Sequence, residues 1–165
     1  MIDAAHGALL RAFRRLPTPV RLALIHAGSP GYTVGSMCIV QRDDGARLFV
    51  RHSYRRRWGV PGGLAKAGED VRDAARRECL EEVGLEIELV GEPTVVVEPS
   101  ARRVDVVFAA RPAPGVDEER ATPVSPEIVE CRWFAPDDLP PLQHETAGAL
   151  VTLARARHGE DVDRV

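Results

Sequence analysis

Lysine is almost missing from this chain: among 22 basic residues Lys66 is the one lysine, and the rest are arginine. Chemistry that needs a Schiff-base lysine is therefore excluded everywhere else. The "AKAGED" segment around Lys66 lacks the Gly-x4-Gly-Lys-Ser/Thr spacing of a phosphate-binding loop. A positive balance is missing too. The net charge is −3, so there is no global electrostatic case for a nucleic-acid partner. The three cysteines, Cys38, Cys79 and Cys131, lie far apart, with no Cys-x-x-Cys or Cys/His spacing for a metal. Reduced, buried thiols and a cytoplasmic setting are expected. No apolar run reaches membrane-spanning length, and Arg11, Arg14, Arg15 and Arg21 interrupt the Leu/Ala-rich start. Neither a membrane partner nor a signal peptide is expected.

What is present fits one domain with a proper core: 165 residues, 44% apolar and 28% charged. Residues 2–16 carry apolar side chains at three- and four-residue steps, which predicts an amphipathic helix. "PTP" at 17–19 stops it, and a second short helix is expected up to Ala27. We read 1–28 as an accessory arm, docked on the domain or forming a homodimer contact, and 29–165 as the functional domain. "TVGSMCIV" and "ARLFVRH" flank an Asp44-Gly45 turn and predict a hairpin. Residues 70–83 predict a helix, with Gly84 at its C′ position. Strands are expected at about 85–90, 93–98, 103–110 and 128–135, and a last helix at about 145–158. The Pro-rich stretch from Arg111 to Glu127 is a long loop, of a length that is often functional. The order is mostly β with two helices to cover a mixed sheet, an α+β arrangement.

Glu78, Glu81 and Glu82 fall on one strip of the expected helix. At about 100° per residue, Glu81 lies about 60° to one side of Glu78 and Glu82 about 40° to the other. Such like charges cost a helix a few tenths of a kcal/mol per pair in water, whereas a hard divalent cation reverses the sign. Alone, Glu-x-x-Glu-Glu is more often a solvated face. Here it stands inside a longer pattern. Gly63, Glu69, Arg77, Glu78, Glu81, Glu82 and Gly84 fit G-x5-E-x7-R-E-U-x-E-E-x-G-U, where U is bulky and apolar. The chance of such a match is on the order of 10⁻⁸ per window. Cys79 stands at a U position and serves as a small apolar residue.

This pattern resembles the signature of the Nudix hydrolase superfamily. "WGVPGG" at 58–63 and "PEIVECRWFAPDDLP" at 126–140 extend the resemblance to roughly Val34–Leu139. It implies a Nudix-type α/β/α sandwich with a mixed sheet. It also implies a pyrophosphohydrolase that cleaves a nucleoside diphosphate linked to another moiety. Mg²⁺, with Mn²⁺ as the alternative, neutralises the pyrophosphate and activates water. By position, Glu78 and Glu82 are the main metal ligands, Glu81 is a third, and the Gly62 carbonyl is a neutral one. Gly63, Glu69, Arg77 and Gly84 are structural members, with Arg77 orienting Glu78 and pairing with Glu69.

The family often adds a carboxylate from a distant loop. Glu127, at the loop's end, is preferred over Glu130, which shares a strand face with Arg132. His144 is a lesser candidate for the base, and Trp133 reads as core. Arg51, His52, Arg55, Arg56 and Arg57 crowd the loop before "WGVPGG", and Arg51, Arg55, Arg57 and Trp58 are candidates to hold a small-molecule nucleotide substrate. Branch motifs for coenzyme A, NADH and dinucleoside polyphosphates are not matched. Pro99 lies near a position that points to ADP-ribose, so ADP-ribose or a nucleotide sugar is the favoured substrate. A nucleoside triphosphate sanitising pyrophosphatase of the MutT type comes second. A nucleotide sensor without catalysis is the reading from another class.

Overall fold

The structure, a computed structural model, describes residues 4–162. Residues 2 and 3 of the first expected helix and 163–165 of the expected domain lie outside this range. The chain divides into two compact units, one up to Tyr32 and the other from Thr33 onward. The first holds α1 (Ala4–Arg15) and α2 (Thr18–Gly28). The prolines that were expected only to end a helix also begin one. Pro17 is the N-cap of α2 and Pro19 sits in its first turn, where a missing N–H costs nothing.

The second unit is built on two sheets. β1 (Thr33–Val40), β3 (Gly62–Leu64), β4 (Ile87–Glu98) and β5 (Arg103–Pro112) form a mixed sheet in the order β3-β1-β5-β4. β1 and β5 run parallel, and the other pairs are antiparallel. β2 (Arg47–His52) and β6 (Ile128–Phe134) form a second, antiparallel pair. The turn at Arg42–Gly45 forms as expected, closed by Gly45 N–H donating to Arg42 O at 3.0 Å. The strands beside it do not stay paired. Beyond a single bridge between Gln41 and Arg47, β1 and β2 part into different sheets. Sequence alternation cannot show this, because both strands are buried on both faces and carry no solvent side to fix a partner. The two strands expected between 85 and 98 are one, β4. Its register shifts between Val90 and Thr94, and Gly91 sits at φ 69° within that bulge.

β1, β2 and β5 each feed two cores. Cys38 and Val40 of β1, Leu48 and Val50 of β2, and Phe108 and Ala110 of β5 pack with Ala75, Cys79 and Val83 of α3 (Val71–Val83). Met37, Ile39, Phe49, Val107 and Ala109 face the other way and pack with Ala149 and Leu153 of α4 (His144–Val162). The α/β/α layering is the one expected.

α3 starts where Asp70 accepts from the Arg72 N–H at 2.7 Å and stops at Gly84, φ 67°, whose N–H donates to Leu80 O. The long loop then fastens to its end: Thr122 N–H donates to Val83 O at 3.1 Å and Val124 N–H to Glu82 O at 2.9 Å. A Cβ on Gly84 would meet Val124 Cγ2 at 3.1 Å. Gly84→Ala is therefore expected to lower stability by roughly 1–2 kcal/mol, from the left-handed backbone alone. Gly84→Asn should recover part of it. Thermal melts of the two variants check this, and equal melting of parent and Ala variant would overturn it.

Candidate active site

The helix α3 has one face in the core and one on a cleft of about 480 Å³. Glu78 and Glu82 both line that cleft. Glu82 is 6% exposed, and its Oε2 accepts from the Gly62 N–H at 3.0 Å. Glu78 lies against Gly63 so closely that a Cβ there would stand 2.5 Å from its carboxylate. At Gly62 a Cβ would stand 2.2 Å from Ser36 O. The two glycines thus leave room, one for the sheet and one for a carboxylate.

Arg77 holds the remaining charges. Its Nε and Nη2 donate to the two oxygens of Glu69 at 2.7 and 2.9 Å. Its Nη1 donates to Glu78 Oε1 at 2.7 Å and Glu81 Oε2 at 3.0 Å, and Nη2 also reaches Leu64 O at 3.3 Å. Glu81 does not line the cleft. It is half exposed and shares Arg77 Nη1 with Glu78, with Lys66 Nζ 3.9 Å from its carboxylate. The expected third metal ligand thus neighbours Glu78 at Arg77 Nη1 but is outside the lining that Glu78 and Glu82 share. The field of those two reaches the core: burial first, then Glu82 and Glu78, push the Cys38 thiol up to about 12. Cys38, Cys79 and Cys131 are free thiols.

Other candidates separate in the same way. Glu127 lines the cleft, with its N–H on Ser125 Oγ at 3.2 Å. Glu130 does not. It pairs with Arg51 at 2.7 Å across the β2–β6 pair and with Arg132. Arg55 lines the cleft, 3.6 Å from Glu145. Arg51, Arg57 and Trp58 are outside the lining. Arg51 is held by Glu130, Arg57 Nη1 donates to Leu142 O at 3.3 Å, and Trp58 packs edge-on against Phe134 at 5.0 Å. His144 begins α4 outside the lining, and Trp133 packs on the core and donates to Glu118 O.

Sequence reading passed over Arg103, Tyr54, Gln143 and Glu145, all of which line the cleft. Only Glu145 carried a signal: an acid in the first turn of a helix that follows a loop. His52 lies there too, with Nε2 3.7 Å from Glu82 Oε1.

Among the described residues no three His, Cys, Asp or Glu side chains converge into a full metal cage. A cation such as Mg²⁺ is commonly held by one or two carboxylates plus waters and substrate phosphates. The carboxylates of Glu78 and Glu82, both on the cleft, fit that donor set.

A NUDIX domain model matches residues 31–154. The chain belongs to the NUDIX family. Membership makes it a Nudix-type pyrophosphohydrolase, as the signature implied. It is 32% identical to a MutT-like protein of Streptomyces ambofaciens over 67% of this chain and 68% of the relative. It is 34% identical to an oxidized purine nucleoside triphosphate hydrolase of Mus musculus, over 51% of this chain and 53% of that one. Among solved structures it resembles an ADP-ribose pyrophosphatase from Streptococcus suis at 28% identity and a TM-score of 0.56, covering 74% of this chain and 87% of that one. Among the described residues no helix is long and apolar enough to cross a membrane.

The Arg77 hydrogen bonds, with the Lys66 N–H, hold the Glu69 carboxyl down from 4.5 to about 2. Ionised Glu69 therefore favours the folded state. That contribution is complete above the unfolded value and fades as pH falls from 4.5 towards 2. The difference in melting temperature between the parent and Glu69→Gln is expected to shrink as pH is lowered from about 6 to about 2. A difference that stays constant would place the effect in packing instead.

Proposed function

We propose that the protein uses a divalent cation, Mg²⁺ with Mn²⁺ as a substitute, to hydrolyse a small-molecule nucleotide in which a nucleoside diphosphate is linked to a further group. The carrying observation is that Glu78 and Glu82 converge from one helix on the Gly62–Gly63 turn, inside a cleft that Glu127 enters from another element. The cleft holds four carboxylates, Glu78, Glu82, Glu127 and Glu145, against two guanidiniums, Arg55 and Arg103. A polyphosphate entering without a cation is repelled. A cation held by Glu78, Glu82 and the Gly62 carbonyl supplies charge neutralisation and Lewis acidity at the pyrophosphate. Arg77 keeps Glu78 aimed through its Nη1 hydrogen bond. Glu127 takes the proton of the attacking water, because it comes from a side that the helix does not cover.

Within this class an oxidised purine nucleoside triphosphate stands first, supported by the activity for which the mouse relative is named. Pro99, the residue behind the ADP-ribose expectation, closes the turn before β5, accepting from Arg102 N–H at 3.2 Å, and is outside the cleft lining. ADP-ribose or a nucleotide sugar, favoured on the sequence, becomes the second reading, supported by the likeness to the Streptococcus suis structure. Free thiols and a nucleotide substrate support the cytoplasm as its location.

The deciding experiment offers oxidised and ordinary nucleoside triphosphates, ADP-ribose, nucleotide sugars and dinucleotides with Mg²⁺ or Mn²⁺, and follows phosphorus-containing products. Turnover of one class supports the reading. Saturable binding with no turnover would make the protein a sensor. Glu82→Gln is expected to remove most activity yet melt no lower than the parent without metal. The amide keeps the volume and an oxygen for the Gly62 N–H while losing the charge that holds a cation.

Glu127→Gln is expected to lower kcat by about a hundredfold or more with a smaller change in KM. Glu130→Gln, which only unpairs Arg51 and Arg132, should change kcat little. Steady-state kinetics of both variants give the answer, and a crippled Glu130→Gln would move the base to β6.

A further inference from the structure

We propose that Arg103, locked in place by Asp105, is the phosphate clamp of the cleft, gripping a phosphate of the bound nucleotide with its two terminal nitrogens. This rests on the pyrophosphohydrolase reading of the same site and names a residue through which it would hold its substrate.

Arg103 opens β5 and lines the cleft. Its Nε donates to both oxygens of Asp105 at 2.8 Å. Asp105 is 5% exposed, and among the described residues Arg103 is its sole ion-pair partner. No protein acceptor takes the N–H groups of Nη1 or Nη2 among the described residues. One edge of the guanidinium is thus fixed and the other is left open on the cleft. That is how a fork is prepared for a planar or tetrahedral oxyanion.

The neighbourhood is shaped for this pair. Gly35 of β1 stands opposite Asp105 in the parallel register. A Cβ on Gly35 would lie 2.3 Å from Asp105 Oδ1, 3.1 Å from Arg103 Nη2 and 3.3 Å from Gly63 O. The space over Gly35 is therefore shared by the pair and by the glycine against which Glu78 rests. This sets the open edge of Arg103 beside the Glu78–Glu82 end of the cleft. Arg102, just before, takes φ 48°, a left-handed backbone unusual for arginine, as the turn swings into β5.

Stability alone does not explain the pair. A carboxylate withdrawn from water next to a partly exposed guanidinium gains little over an apolar residue, and the next position on the same face of β5 is the apolar Val107. The other cleft arginine, Arg55, already faces Glu145. A pinned arginine offers what a lysine cannot: a fixed plane with little freedom left to lose on binding.

The test measures binding of two probes, ADP and inorganic pyrophosphate, to the full chain by calorimetry with saturating Mg²⁺. Arg103→Lys keeps the charge but loses the fork. Arg103→Gln alone leaves Asp105 buried without its partner, so the double variant Arg103→Gln/Asp105→Asn is made beside it. Gly35→Ala changes no charge but displaces the pair. Arg103→Lys, the double variant and Gly35→Ala are each expected to weaken both probes by about tenfold or more. Melting temperature, recorded on the same samples, separates loss of fold from loss of binding. Parent-like affinity in Arg103→Lys and in the folded double variant would overturn the clamp. So would a loss for ADP without a loss for pyrophosphate, which would show the arginine reading the nucleoside. A parent that binds neither probe overturns it as well. If the parent turns over no nucleotide yet binds both probes, and the variants do not, the clamp stands and the hydrolase reading falls.

Discussion

Arg77 lets a helix carry several like charges at one end without coming apart. Its five N–H contacts go to Glu69, Glu78, Glu81 and the Leu64 carbonyl, so one guanidinium ties the start of the motif, its middle and the strand β3 together. Without it, Glu69 would keep only the Lys66 N–H, and Glu78 and Glu81 would lose the cation they share. The folded state raises the guanidinium further above its ordinary value, chiefly through Glu69. Lysine could not serve here, because a single ammonium has no planar fork to span three carboxylates and a carbonyl.

The other half of the arrangement is backbone. Gly62 and Gly63 bring β3 so near α3 that the Gly62 N–H binds one carboxylate of the pair and the open side of Gly63 receives the other. On the opposite face of α3, Ala75, Cys79 and Val83 are fully buried against β1 and β5. The small side chains at 75 and 79 let the helix lie close to the sheet, and this sets how deep Glu82 sits. Core packing and site geometry are in this sense one constraint seen from two sides.

Much of this could be read from the sequence, and for a physical reason. A motif that spans one turn and one helix is local, so spacing alone fixes Glu78, Glu82, Gly63 and Arg77 relative to one another. The start and stop of α3 follow from Asp70 and Gly84 in the same way. Failures came where distant segments meet. Strands buried on both faces gave no hint that β1 and β2 part company. Trp58, a candidate to hold the substrate, packs on Phe134, which is 76 positions away in sequence. Arg103 gave no signal because its meaning depends on Gly35, a neighbour only through the parallel pairing of β1 and β5. Glu81 was grouped with its helical neighbours by angle, and it does meet Glu78 at Arg77 Nη1, but angle alone does not show that it is outside the cleft lining.

The scarcity of lysine has a practical consequence at Lys66. Its side chain is 65% exposed and stands beside Glu81, on the rim of the motif. Amine-directed labelling of side chains therefore has a single address on this protein. A dye placed there would sit a few residues from Glu69 and the glycine turn, and report on that end of the molecule. By the same logic, a lysine-to-lysine cross-linker acting between two copies can join them only if their motif rims come within its reach.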